Sequence, residues 1–278
     1  MKTVVVVLVV IVVVVAAILE SADYRWRVRT HAVVAALRAG PPVTPARFGV
    51  AQLAGLPAPV RRYFLAVLPE GQPLARRVRL VQRGTFLVKP ESEGWAPFTA
   101  VQDVRIVPAA FVWDARIRMA PGVAVRVRDS FVDGRGSMYG AVLGLFTVVR
   151  MENTPDIAAA ALMRYLAEAC WFPTALLPGA GVVWSAVDDS TARATLAVGG
   201  ASASLDFHFG ADSLVRRVTG TRARAVGRTS VPTMWEGRWL EYGVRSGVRI
   251  PVQGEVGWLL RGGPQPYWRG LITDLSYE

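Results

Sequence analysis

The stretch Ala115-Arg116-Ile117-Arg118-Met119-Ala120-Pro121-Gly122-Val123-Ala124-Val125-Arg126-Val127-Arg128 decides the fold class. Apolar residues and arginines alternate along it on either side of Pro121-Gly122. Successive side chains of a strand point to opposite faces. The alternation therefore predicts two strands, each with one face in a core and one in water. Pro-Gly between them is a turn signal, so the pair reads as a hairpin.

Working outward, the same period of two continues over most of the chain. Residues 78–88 read as a long strand, and Asp133-Gly134 turns the chain into 137–149. Asp188-Asp189-Ser190 separates 182–187 from 191–198, and Gly199-Gly200 links that strand to 201–209. A two-residue glycine link of this kind favours a primed hairpin turn. Gly210-Ala211-Asp212 leads into 213–226, and the pattern closes with 237–248, 252–260 and 267–275, with Arg261-Gly262-Gly263-Pro264 as the last turn. About eleven short antiparallel strands with regular turns predict a mainly β (α+β) fold, a large curled antiparallel sheet or open half-barrel.

One helix interrupts the strands. Residues 155–170 are rich in alanine and end at Pro173 and Pro178, which gives high helix propensity and a clear stop. Such a helix is placed to line or plug the concave side of the sheet. Residues 28–69 read as further helices. The first, 31–39, stops at Gly40-Pro41-Pro42. The second starts near Thr44 with Pro45 in its first turn. In the third, 60–68, Val60, Phe64, Val67 and Leu68 share a face opposite Arg61 and Arg62.

Residues 4–19 form an unbroken apolar run of sixteen residues, ten of them valine, behind Lys2 and before Glu20. As a helix the run is about 24 Å long, against a bilayer core of about 30 Å. A cleaved signal peptide would want a small-x-small site, and Ala16-Ala17-Ile18 and Glu20-Ser21-Ala22 are poor ones. The run is therefore expected to be one uncleaved transmembrane helix and a single-pass cell-membrane anchor, with Tyr24 and Trp26 at the interface. Arg25, Arg27, Arg29 and Arg38 follow it and suit anionic headgroups. The side on which the main domain lies stays open. The expected organisation is an anchor and flank at 1–27 and a single β-rich domain with N-terminal helices at 28–278.

The chain has 278 residues, is 52% hydrophobic and carries a formal charge of +11, with Lys2 and Lys89 its only lysines. One cysteine, Cys170, leaves no internal disulfide framework, and two histidines, His31 and His208, leave little for a histidine metal centre. No Gly-x-Ser-x-Gly elbow, phosphate-binding loop or His-Glu-x-x-His occurs. No cofactor and no metal site is expected, and catalytic residues stay unassigned. The arginines, among them Arg76, Arg79, Arg116, Arg118, Arg126, Arg128, Arg222 and Arg224, spread over many strands without a recognition motif, so nucleic acid is not the expected partner.

Arg164 and Glu168, spaced i, i+4 on the mid-chain helix with Trp171 three residues on, are the most suggestive constellation. They read either as a buried acid controlled by an arginine and facing the sheet's cavity, or as an ion pair that docks the helix. Asp103, Asp114, Asp129 and Asp133 on the first strands offer possible partner carboxylates. His208, between Phe207 and Phe209, points away from both. Nine tryptophans are many for this length, and Trp184, Trp258 and Trp268 join Arg164, Glu168 and Trp171 as candidate lining of an apolar ligand site.

The motifs Leu56-Pro57-Ala58-Pro59-Val60-Arg61-Arg62-Tyr63-Phe64, Arg164-Tyr165-Leu166-Ala167-Glu168 with Trp171-Phe172-Pro173-Thr174-Ala175-Leu176-Leu177-Pro178, and Gly247-Val248-Arg249-Ile250-Pro251 with Glu255-Val256-Gly257-Trp258 and Pro266-Tyr267-Trp268-Arg269 stand over roughly 56–272. Through them the chain resembles a bacterial family of unknown function whose members often follow an N-terminal membrane segment. The resemblance implies homology and supplies no activity. More loosely, a curled sheet with helices in its concavity is similar to the lipoprotein-carrier half-barrels, which hold acyl chains. The expected function is non-catalytic binding of a lipid or other hydrophobic ligand in an apolar groove near the membrane. The alternatives are a hydrolase-like enzyme centred on Glu168 and a protein-docking scaffold.

Overall fold

The arginine-apolar alternation becomes two paired strands, β3 (Ala110–Ala120) and β4 (Val123–Val132), in register Ile117↔Val125 and Trp113↔Asp129. The computed structural model describes residues 1–39, 44–88, 94–227 and 229–278. Before β3 come β1 (Arg77–Leu87) and β2 (Trp95–Arg105), and after β4 come β5 (Arg135–Val142) and β6 (Phe146–Glu152). Beyond the mid-chain helix follow β7 (Val183–Ala186), β8 (Thr191–Val198), β9 (Ala201–Phe209), β10 (Val215–Val226) and β11 (Thr229–Trp239). The hairpin β12 (Tyr242–Arg245) and β13 (Val248–Pro251) stands apart, and β14 (Gln253–Leu260) and β15 (Gly263–Tyr277) close the chain.

Thirteen of these strands form one curled antiparallel half-barrel sheet in the order β6-β5-β4-β3-β2-β1-β15-β14-β11-β10-β9-β8-β7. The first and last strands of the chain pair at its middle, so each half of the sheet is a wing. The wings curl until the β4–β5 turn meets the β8–β9 turn. There a Cβ on Gly134 or Gly199 would lie 2.7 or 2.5 Å from the Cα of the other, and both residues have positive φ. Only glycine fits such a backbone-to-backbone crossing.

Three expected elements differ. The strand expected over 137–149 is split by a turn in which Leu143 and Gly144 adopt positive φ. The strand expected over 237–248 is broken after Trp239 by the inserted β12–β13 hairpin, and β11 itself begins at Thr229. Pro232 argues against a strand there. It is tolerated because β11 pairs with β14 only over Trp235–Trp239, so its first half has a free edge. No helix starts at Thr44: residues 44–49 are extended, with Arg47 bridged to Pro73, before a 3₁₀ turn at Val50–Leu53. The Gly40-Pro41-Pro42 stop lies outside the described residues.

Helix α2 (Ala58–Val67) buries Val60, Tyr63, Phe64 and Val67 and leaves Arg61 and Arg62 exposed. Helix α3 (Pro155–Glu168) lies in the concavity, capped by Thr154, whose Oγ1 accepts from the Ile157 N–H. It packs on β5 and β9, close against Gly136.

Helix α1 (Lys2–Arg38) runs without a break for 37 residues, about 55 Å, and is long and apolar enough to cross a membrane. The expected boundary after residue 27 falls inside it. Its valines 4–15 are exposed, whereas Ala22, Trp26, Thr30 and Leu37 are buried on the convex face of β2–β4. Spacings of four, four and seven put them on one stripe. Trp26 is therefore a sheet contact and not an interfacial belt residue: it is 3% exposed, its Nε1 donates to Asp114 at 2.9 Å, and it stacks on Tyr139. Arg126 and Arg128 lie 5.6 and 5.3 Å from its ring centroid, so part of the expected wet face is covered. Arg126 also pairs with Asp23, Arg128 donates to Thr30, and Arg38 pairs with Asp103.

Candidate functional site

β3 points Phe111, Trp113, Ala115 and Ile117 inward, and β4 points Val125, Val127 and Asp129 inward beside them. On the buried face of β1, Leu80 is followed by Gln82, and on that of β2, Ala100 is followed by Gln102. Register sets Gln102, Trp113 and Asp129 directly opposite one another on successive strands. The C-terminal half of α3 and the 3₁₀ turn after it, Ala169–Trp171, lie over this row and lower Arg164, Glu168 and Trp171 toward it.

A directed chain of hydrogen bonds results. The Trp113 indole N–H donates to Gln82 at 2.8 Å, Gln82 to Gln102 at 3.3 Å, and Gln102 to Glu168 Oε2 at 2.7 Å. Arg164 Nε donates to Glu168 Oε1 at 2.8 Å and Nη1 to Asp129 at 2.7 Å, with its guanidinium 4.8 Å from the Trp113 ring centroid. The amide orientations follow from this network. Burial pushes the Glu168 carboxyl up, against the lowering pull of Arg164 and Gln102. Burial alone would lower the Arg164 guanidinium, but Glu168 and Asp129 reverse this and hold it above its ordinary range. Paired and bonded in this way, the buried charges avoid the cost of an isolated ion.

Above this floor opens a cavity of about 330 Å³. Trp113, Trp171, Trp239 and Trp268 surround the polar floor, with Ile117, Val125, Val127, Val256 and Tyr267 as further walls. Met119 and Val148, 41% and 55% exposed, stand at its mouth. Trp171 packs edge-on against Trp239, 5.1 Å between centroids. The chemistry is an apolar slot with a small polar base, the usual composition of a small-molecule site.

Of the residues singled out from the sequence, Arg164, Glu168, Trp171 and Trp268 meet in this cavity. Trp258 lies behind its wall, against Tyr267. Trp184 lies elsewhere, edge-on to Phe207 and donating to the Leu176 carbonyl. Among the four aspartates only Asp129 reaches the site; Asp103 and Asp114 face α1, and Asp133 pairs with Arg105. His208 points outward and bonds Thr191 and Thr219. Cys170 is buried, with its thiol pushed up by burial. Gln82 and Gln102 went unread. Their signal is a polar residue in the apolar phase of a strand: Val78, Leu80, Gln82, then Ala100, Gln102, Val104. A larger groove beside α3, lined by Asp156, Arg193, Asp206 and Arg222, is more open and more polar.

Residues 54–277 match the profile of DUF6920, described as a family of unknown function. No curated protein matches. Among solved structures, the chain is similar to a LolA superfamily protein from Nitrosomonas europaea, with 8% identity over 79% of this chain and 92% of that one and a TM-score of 0.41. It is also similar to a beta-barrel-like protein of the domain of unknown function DUF1849 from Brucella abortus, with 10% identity over 74% and 98% and a TM-score of 0.31. The chain belongs to the DUF6920 family.

Proposed function

We propose that this DUF6920 member holds a lipid or another hydrophobic ligand in the cavity under α3, beside a membrane that its N-terminal helix crosses. The observation that carries this reading is the cavity itself. It is open, walled by tryptophan and branched aliphatic side chains, and its volume of about 330 Å³ falls in the range of about 300–1,000 Å³ typical of ligand sites. The exposed valines of α1 support a cell-membrane location, since the apolar residues from 4 to 18 are all exposed on the protein. The hydrolase-like alternative is less well supported, because both Glu168 oxygens already accept hydrogen bonds from Arg164 and Gln102. The base of the cavity then sets its shape and does not offer a free acid.

Native mass spectrometry of the full-length chain, with organic extraction of the same sample, tests the reading. A near-stoichiometric lipid that is lost in Val127→Trp, which fills the slot, is the expected result. A ligand-free mass together with no uptake of a fluorescent fatty acid would overturn it.

A further inference from the structure

The strands end at two opposite edges of the sheet, and the two edges differ in chemistry. At one edge the turns carry Asp133, Asp188, Asp189, Asp212 and Glu241 among arginines, with Asp133 paired to Arg105 and Asp212 to Arg216. At the other edge, the described residues of the turns at 119–124, 142–147, 198–201, 225–231 and 260–263 contain no acid at all and include Arg261. They expose apolar side chains instead: Phe146 is 67% exposed, Val226 and Val231 42%, Met119 41% and Val123 37%. The β1–β2 connection, 89–93, lies outside the described residues.

This acid-free edge is also where the cavity opens, since Met119 and Val148 are its most exposed lining. It is the edge from which α1 departs as well. The docked half of the helix ends beside the β3–β4 and β5–β6 turns. A crevice there is lined by Leu19, Gly122 and Leu143, and a Cβ on Gly144 would lie 3.6 Å from the Ala22 carbonyl. The exposed apolar residues before Leu19 project past the same turns. The single acid at the exit, Glu20, is followed by Asp23, which Arg27 and Arg126 already pair.

We infer that the hairpin tips around the mouth rest on an anionic bilayer surface, so that the cavity opens onto the leaflet and exchanges its ligand with it directly. This rests on the reading of α1 as a membrane-crossing helix. Apolar tips of this kind enter the headgroup boundary, while arginines such as Arg261 meet anionic lipid.

The test places a cysteine at Phe146→Cys on the tips and, separately, at Arg135→Cys on the opposite edge. Cys170 is buried and stays unlabelled. Each full-length variant carries an environment-sensitive dye in vesicles of mixed phosphatidylcholine and phosphatidylglycerol, with nitroxide lipids as quenchers. Emission at 146 is expected to fall to about half or less, as for a group at the headgroup boundary, with emission at 135 unchanged. Val123→Cys at the neighbouring turn repeats the measurement if Phe146→Cys does not fold. Vesicle flotation is read on the same samples. Flotation without quenching at 146 or 123 overturns the docking and leaves the anchor standing. Failure to float overturns both the docking and the anchor reading beneath it.

Discussion

Arg164 is held between two carboxylates under a lid of aromatic rings, and the balance of charge there has consequences that can be measured. Asp129 and Glu168 are buried, at 5% and 9% exposed, so removing the cation strands them. Arg164→Met is expected to cost about 3–5 kcal/mol of unfolding free energy, the range for breaking a buried ion pair from one side. Adding Asp129→Asn and Glu168→Gln to that variant should recover most of the loss in a denaturant titration. If the triple variant is no more stable than Arg164→Met alone, uncompensated charge is not the cause. Glu168 adds a pH dependence of known sign. Its carboxyl is raised in the folded state, first by burial, so its contribution to stability is full below the unfolded value of about 4.3 and is lost as pH rises through the folded value. Glu168→Gln should therefore gain on the parent as pH increases from 4 toward 8, by at most about 1.4 kcal/mol per pH unit, read as the difference between their melting temperatures. A difference constant with pH would sink the assignment. Arg164 and Glu168 were legible in the sequence because i, i+4 spacing joins them. Asp129 was one of four equal aspartates, and only strand register separates it from the other three.

At the scale of elements, the strands were legible wherever one face is wet, because alternation then marks them. They were illegible where that contrast fails. The first half of β11 carries Pro232 and exposed residues on both faces, and a free edge rather than a pattern makes it a strand. The docked half of α1 was misread for a related reason. A tryptophan among arginines just after an apolar run describes a membrane flank as well as it describes Trp26 seated on Asp114 and Tyr139. Only the tertiary partner separates the two. Trp26→Ala removes an indole that is 3% exposed, a truncation worth about 3–5 kcal/mol in a core. The small apolar cluster of Leu37, Ala110 and Val112 is separate from the main core, so the loss should appear as local undocking. Hydrogen exchange of residues 22–38 is expected to speed up while β8 and β9 keep their protection. Unchanged exchange in 22–38 would mean that the salt bridges from Asp23 and Arg38 hold the helix without Trp26. At the wing closure, Gly199→Ala would put a Cβ about 2.5 Å from the Gly134 Cα. It should destabilise the sheet, the reverse of the gain of about 0.5–1 kcal/mol that Gly→Ala brings in an ordinary element interior, measured by thermal melting.

Across the whole molecule, one unbroken helix ties the apolar segment to the convex face, so, on the proposed reading of that segment as an anchor, its direction fixes how the cavity mouth stands to the bilayer. The half-barrel does not reorient as a tethered domain would, because the stripe of Ala22, Trp26, Thr30 and Leu37 and the partners Asp103, Asp114 and Arg126 hold the helix at several points along its docked half. A flexible linker would replace this fixed geometry with an average over many orientations. Inserting four residues, Gly-Ser-Gly-Ser, between Glu20 and Ser21 should therefore leave the melting temperature of the sheet nearly unchanged, since the docked stripe begins at Ala22. The same insertion should slow transfer of a fluorescent fatty acid between the vesicle and the cavity, while uptake from free solution stays as in the parent. The two rates separate the two proposed roles, binding by the slot and its presentation to the leaflet by the rigid helix. Equal slowing of both would place the defect in the cavity. No slowing of either would show that the tips at Phe146 and Val123 dock the mouth without help from the helix.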